Sequence, residues 1–261
     1  MLQFIRRFLP IASVICLIIC ISCEKKSFIT DREGAIIRGS TDQKKIALTF
    51  TGDSLAEGRY HVLKVLTERK IKGSFFFTGN FYRIGAYQDF IEKLIENGHY
   101  LGPHSDQHLL YCDWSDRDNL LIGRQDFNRD LDQNFTEMAR FGLNKSQSRY
   151  FMPPYEWYNQ EITTWSQAIG LTLINFTPGI RTNADYTYPE MGEKYINNES
   201  IWNSIFKQEE SDPDGLKGYI ILIHLGTDIR REEKFYHLLE PMIIKLHEMG
   251  YDFVRIDQLL K

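Results

Sequence analysis

Cysteine is scarce where a disulfide framework would need it. The chain has 261 residues and four cysteines, and Cys16, Cys20 and Cys23 all fall within the first 23 positions. Cys112 is alone in the body, so an internal disulfide there is excluded, and in Leu110-Tyr111-Cys112-Asp113-Trp114 it reads as a small packed residue rather than a nucleophile. An excess of charge of one sign is also lacking. With 31 basic and 35 acidic residues the formal net charge is -4, which gives no electrostatic footprint for nucleic acid. No internal repeat and no low-complexity tract interrupts the chain. Its 43% hydrophobic and 25% charged residues are those of an ordinary globular domain, which excludes disordered, collagen-like and coiled-coil architectures.

A long apolar run is missing too. Phe8 to Ile21 is apolar apart from Pro10 and Ser13 and follows the basic pair Arg6-Arg7, but it is short for a membrane span. It ends in Cys20-Ile21-Ser22-Cys23, which resembles a bacterial lipoprotein cleavage site. Residues 1–22 are therefore expected to be a lipoprotein signal peptide with Cys23 lipidated, residues 23–43 a tether, and 44–261 the domain. A lipid-anchored protein of the bacterial cell envelope is the expected location.

From residue 44 onward, strand-like and helix-like patterns alternate. Ile46 to Phe50, Gly73 to Thr78, His99 to Gly102, Ser148 to Phe151, Leu171 to Phe176, Tyr219 to Leu225 and Tyr251 to Arg255 read as strands. Tyr60 to Arg69, Phe90 to Asn97, Gln125 to Phe141, Gln160 to Ile169 and Phe235 to Met249 read as helices, most of them stopped by a glycine. This order predicts α/β architecture with a parallel sheet, as a single closed or nearly closed (β/α) barrel. Residues 177–218 read as an irregular insertion near one rim.

Reactive side chains collect at the predicted strand ends, which form the active face of such a barrel. His104 and His108 follow one strand at a spacing that, on a turn of helix, projects both imidazoles to one side and suits a divalent metal. Asp53, and Tyr155 with Glu156, follow two others, and His224 lies at the end of a third. His61, His99, His237 and His247 lack this convergence.

Four stretches, in order, are similar to the motifs of the polysaccharide deacetylase family, the NodB-homology domains of carbohydrate esterase family 4. They are Leu48-Thr49-Phe50 with the following Asp53, His104-Ser105-Asp106-Gln107-His108, Phe151-Met152-Pro153-Pro154-Tyr155, and Leu222-Ile223-His224. The resemblance spans residues 44–261. It implies a distorted (β/α) barrel and hydrolysis of acetyl groups on an acetylated polysaccharide or oligosaccharide. It further implies a divalent metal, zinc being the first expectation, on Asp53, His104 and His108. His224 would be the acid, the Tyr155 amide would serve the oxyanion, and Leu222, Pro154 and Trp157 would contact substrate.

The departures are specific. Family members carry two adjacent acids where this chain has Thr51-Gly52-Asp53, an arginine where it has Met152, and a glycine where it has Glu156. The usual base-orienting stretch is replaced by Asn175-Phe176-Thr177-Pro178-Gly179-Ile180-Arg181-Thr182-Asn183-Ala184-Asp185. Glu156, beside Tyr155 at the rim, is the first candidate for the base, with Glu57 and Asp106 behind it. Two rivals are a non-catalytic carbohydrate-binding lipoprotein on the same barrel and a metal hydrolase of another amide. The aromatics Trp114, Tyr155, Trp157, Tyr158, Tyr186 and Tyr188 suit sugar stacking under any of these.

Overall fold

The structure, a computed structural model, describes residues 28–261; the expected signal peptide and Cys23 lie outside the described residues. The elements are β1 (Ile29–Thr30), β2 (Ile36–Arg38), β3 (Lys45–Gly52), α1 (Arg59–Glu68), β4 (Ser74–Phe77), α2 (Gly79–Arg83), α3 (Gln88–Glu96), β5 (Tyr100–Pro103) and α4 (Arg124–Ala139). There follow β6 (Tyr150–Phe151), α5 (Gln160–Ala168), β7 (Thr172–Leu173), α6 (Asn198–Ser211), β8 (Ile220–His224), α7 (Leu239–Glu248), β9 (Asp252–Phe253) and α8 (Ile256–Leu259). Among the described residues no helix is long and apolar enough to cross a membrane.

β3 is apolar on both faces because it is buried on both. Ile46, Leu48 and Phe50 pack outward with Leu66 of α1, Phe90 of α3 and Met242 of α7. Ala47, together with Phe76 of β4 and Ile220 and Leu222 of β8, packs inward against Tyr150, Met152 and Ile174. β3 pairs in parallel with β4 and β8, β5 extends the sheet beyond β4, and β9 joins the start of β3. β6 and β7 form a separate parallel pair. A third cluster under α4 and α5 takes in Phe127, Leu131, Ile162 and Cys112, whose thiol burial pushes up to about 11. That inert, packed cysteine is the one expected.

The continuous ladder does not close into a ring among the described residues. Single contacts span the gap: the Met152 amide donates to the Pro103 carbonyl at 3.3 Å, and isolated bridges join Ile36 to Ile174 and Arg38 to Tyr219. β2 thus stands between the β6–β7 pair and β8, which corrects the reading of residues 23–43 as a free tether over its described part. Arg38 is the fastening. It is 8% exposed, and it donates from Nε to the Lys217 carbonyl, from Nη2 to the Gly215 carbonyl and from Nη1 to Asp212 at 2.8 Å. The stretch 177–218 is not irregular throughout either. Asn197 caps α6 by accepting from the Ser200 amide at 2.8 Å, and Ile201, Ile205 and Phe206 give that helix a buried face.

Arg38→Met should lower the unfolding free energy by about 2–4 kcal/mol in urea titrations, because Asp212 and two carbonyls lose their partner. A variant as stable as the parent would return residues 28–43 to the role of an appendage.

Candidate active site

The C-terminal ends of β3, β5, β6 and β8 open on one cavity of about 780 Å³. Asp53, His104, His108, Tyr155, Glu156, Trp157 and His224 line it, so most of the residues read from sequence meet in one place. Leu222 and Pro154, expected at the substrate, are buried, the first in the core and the second in its turn, and neither is on the cavity wall. Trp114, Tyr155 and Tyr186 are exposed on the wall, whereas Tyr158 is buried and donates its hydroxyl to Asp31, and Tyr188 lies under Arg230.

His104 and His108 do not sit on a helix. They follow β5 in an open loop in which Ser105 and His108 adopt φ of 75° and 56°. Non-glycine residues pay conformational energy for that region, so something must hold them there. α4 does. Asn134 accepts from the His104 amide at 3.0 Å, and Asp130 accepts from the amides of Asp106 and Gln107 at 3.1 and 3.0 Å. The loop brings the two imidazole centroids to 5.1 Å. His104 Nδ1 donates to the Met152 carbonyl at 2.7 Å, which leaves Nε2 as its lone-pair nitrogen. Burial, with the charge of His108, holds His104 well below the ordinary histidine range; burial brings His108 to about 4 against the opposing charge of Asp53. Both rings are neutral at pH 7.

Asp53 follows the end of β3, where its Oδ1 accepts from Thr78 at 2.9 Å and Asn80 at 3.2 Å. A Cβ on Gly52, the residue before it, would stand 2.8 Å from the Phe81 ring, so a larger residue there would have to displace that ring. Thr51, the first residue after the Thr49-Phe50 pair, has a buried hydroxyl without a hydrogen-bond partner among the described residues. Two neutral imidazoles and a carboxylate with one oxygen uncommitted are chemically suited to a divalent cation. Among the described residues, however, no three His, Cys, Asp or Glu side chains are gathered closely enough to hold an ion as they stand.

His224 ends β8, beside Thr51 in register. Asp185, which sequence reading did not single out, accepts from both the His224 amide at 3.0 Å and its Nδ1 at 2.5 Å. Burial would lower His224, but the charge and hydrogen bond of Asp185, with Glu156 adding, hold it above the ordinary histidine value. Asp185 lies in the 177–218 stretch, where no periodicity marks it, and only its distant hydrogen bonds give it a role. Arg231, fully buried, secures that segment through the carbonyls of Thr187 and Ile196 and the side chain of Asn198.

Tyr155 and Glu156 form a second strained turn, with φ of 59° and 52°. Burial pushes the Glu156 carboxyl up to about 7, opposed by His224 and reinforced by Asp185. The two reserve candidates for the base are corrected by their contacts. Asp106 is buried and bonded to Arg83 at 2.7 Å, and Glu57 is held by the Thr227 amide at 2.9 Å and Lys234 at 3.1 Å, off the cavity wall.

A family model described as polysaccharide deacetylase matches residues 38–174. The peptidoglycan-N-acetylmuramic acid deacetylase PdaA of Bacillus subtilis is 24% identical over 233 residues, 88% of this chain and 76% of that protein. The peptidoglycan-N-acetylglucosamine deacetylase of Bacillus cereus is 23% identical over 223 residues, 84% of this chain and 90% of that protein. A CE4 family pseudoenzyme from Bacillus anthracis shares the fold with a TM-score of 0.66 at 18% identity, covering 88% of this chain and 69% of that one. Matched over more than half its length, and carrying its reactive side chains at the strand ends of the same distorted (β/α) barrel, the chain belongs to the polysaccharide deacetylase family.

Proposed function

We propose that the protein hydrolyses acetyl groups from a cell-envelope glycan with Glu156 as a relocated base and His224 as the acid. The observation that carries this is the pairing of two titratable groups on one cavity wall. Glu156 is raised to about 7, so it is partly ionised at neutral pH, and Asp185 holds His224 above its ordinary value, so it keeps its proton to higher pH than a free histidine. A base that can accept and an acid that can donate at the same pH is what acyl hydrolysis requires. A divalent metal, zinc being the first choice, would be held by Asp53, His104 and His108 and would polarise the acyl carbonyl and acidify water. Glu156 then takes the proton of the attacking water, and His224 gives its proton to the departing amine or alkoxide. The exposed rings of Trp114, Tyr155 and Tyr186 offer stacking faces for sugar. The names of the peptidoglycan deacetylase relatives support an acetylated wall glycan as substrate. Placement in the envelope through a lipid on Cys23 rests on the leader sequence alone.

The second reading is a glycan-binding protein without turnover. It is favoured by the orphaned Thr51 hydroxyl, by Met152 in place of arginine and by the pseudoenzyme of the same fold. It predicts glycan affinity with no acetate release, and indifference of binding to chelator.

Acetate release by metal-loaded protein should follow a bell in pH, rising as Glu156 ionises near 7 and falling as His224 deprotonates above its ordinary value. Glu156→Gln should remove the acidic limb and cut turnover by roughly 10² to 10⁴. Full activity with both limbs intact would place the base elsewhere. Stability supplies a check that needs no turnover. The Glu156 pKa is raised from 4.5 to about 7 on folding, so its ionisation opposes the fold increasingly as pH rises through that interval. Glu156→Gln should therefore match the parent below about pH 4.5 and exceed it by about 1–3 kcal/mol at pH 8. A variant less stable than the parent at pH 8 would contradict the buried-carboxylate account.

A further inference from the structure

One arm of the cavity lies under the N-terminal hairpin, where Asp31, Arg117, Trp157, Tyr158 and Asn175 form the wall. Arg117 is its cation. The guanidinium lies 3.6 Å above the Trp157 ring, with its side chain 21% exposed, and Asn159 fixes the backbone by donating to the Arg117 carbonyl at 3.2 Å. Nε is sealed from solvent without a partner among the described residues. Glu33 Oε1 forms an ion pair with Nη1 at 3.6 Å, too long for a hydrogen bond, and also accepts from Arg32 at 2.7 Å. Asp31 has both oxygens committed, one to Tyr158 and the other to the amides of Glu33 and Ala35. A guanidinium held flat on an aromatic face, with Nε buried and unpartnered and only a long ion pair to a shared carboxylate, is left short of an acceptor.

We infer that Arg117 is a specificity-determining residue that binds a carboxylate carried by the glycan. This rests on the reading of the cavity as a glycan site. A planar carboxylate matches the guanidinium fork. Asp31 and Glu33 border the arm, so a monoanion meets less repulsion there than a dianion would. The carboxylate has two chemical sources, a hexuronic acid ring or an acidic ether substituent such as the lactyl group of muramic acid.

Calorimetric binding to matched probes separates the sources and needs no turnover. One pair is an acetylated xylo-oligosaccharide bearing glucuronic acid and its carboxyl-reduced form; the other is an N-acetylglucosamine–N-acetylmuramic acid tetrasaccharide and its carboxyl-reduced form. The acidic member of at least one pair should bind roughly 10-fold or more tightly than its reduced partner. Arg117→Met, which keeps an apolar group on Trp157, should erase that preference while leaving the reduced probe's affinity within about twofold. Glu33→Gln should enlarge the preference, and that variant decides the matter if Arg117→Met does not fold. Equal binding within both pairs, no binding of any probe, or a preference that survives Arg117→Met or fails to rise in Glu33→Gln overturns the inference. A protein that discriminates but releases no acetate retains it and loses the deacetylase reading; one that turns over without discriminating does the reverse.

Discussion

The site depends on a polar grip inside an otherwise apolar interface. Asp130 and Asn134, one turn apart on the buried face of α4, take the backbone amides of His104, Asp106 and Gln107, and Asn134 also donates to the Phe77 carbonyl at 3.2 Å. Buried polar groups on a helix face are unfavourable unless every bond is made, and here they are made to a loop that cannot otherwise hold left-handed φ at Ser105 and His108. The grip ties β4, β5 and α4 together and sets where the two imidazoles stand. A comparable arrangement governs the opposite wall, where buried Arg231 fastens the segment that carries Asp185, and Asp185 in turn orients His224.

The same economy explains the departures from the family pattern. By the family resemblance an acid is usual at Thr51 and an arginine at Met152, and this chain carries neither charge. Met152 packs into the inner cluster, and neither a buried charge nor a lone arginine is left behind. Negative charge reappears at Glu156, in a left-handed position where glycine would be free of strain. Under the proposed function, that strain and the raised carboxyl belong to the base.

Periodicity made the alternation of strands and helices legible, and strand ends located Asp53, His104, His108, Glu156 and His224, because a parallel barrel turns local pattern into a shared rim. What stayed hidden depends on contacts remote in sequence. β2 is three residues long and earns its place through Arg38, whose partners lie beyond residue 211. Asp185 is 39 residues from the histidine it serves, in a segment without amphipathic spacing. The His104–His108 spacing suggested a helical turn, but the loop achieves the same convergence through amides held by α4, a tertiary effect that local propensity does not register. Leu222 and Pro154 matched their motifs, yet the inward register of β8 and the packing of the Pro154 turn bury both.

If the α4 grip assembles the donor set, it must govern metal affinity without touching a donor atom. Calorimetric titration of the apo protein with Zn²⁺, for the parent, Asn134→Leu and Asp53→Asn, tests this most directly. The parent should take one equivalent, and both variants should bind roughly 10-fold or more weakly while remaining folded by circular dichroism. A parent that takes up no metal, or a folded Asn134→Leu protein that binds it as tightly as the parent, would contradict the account.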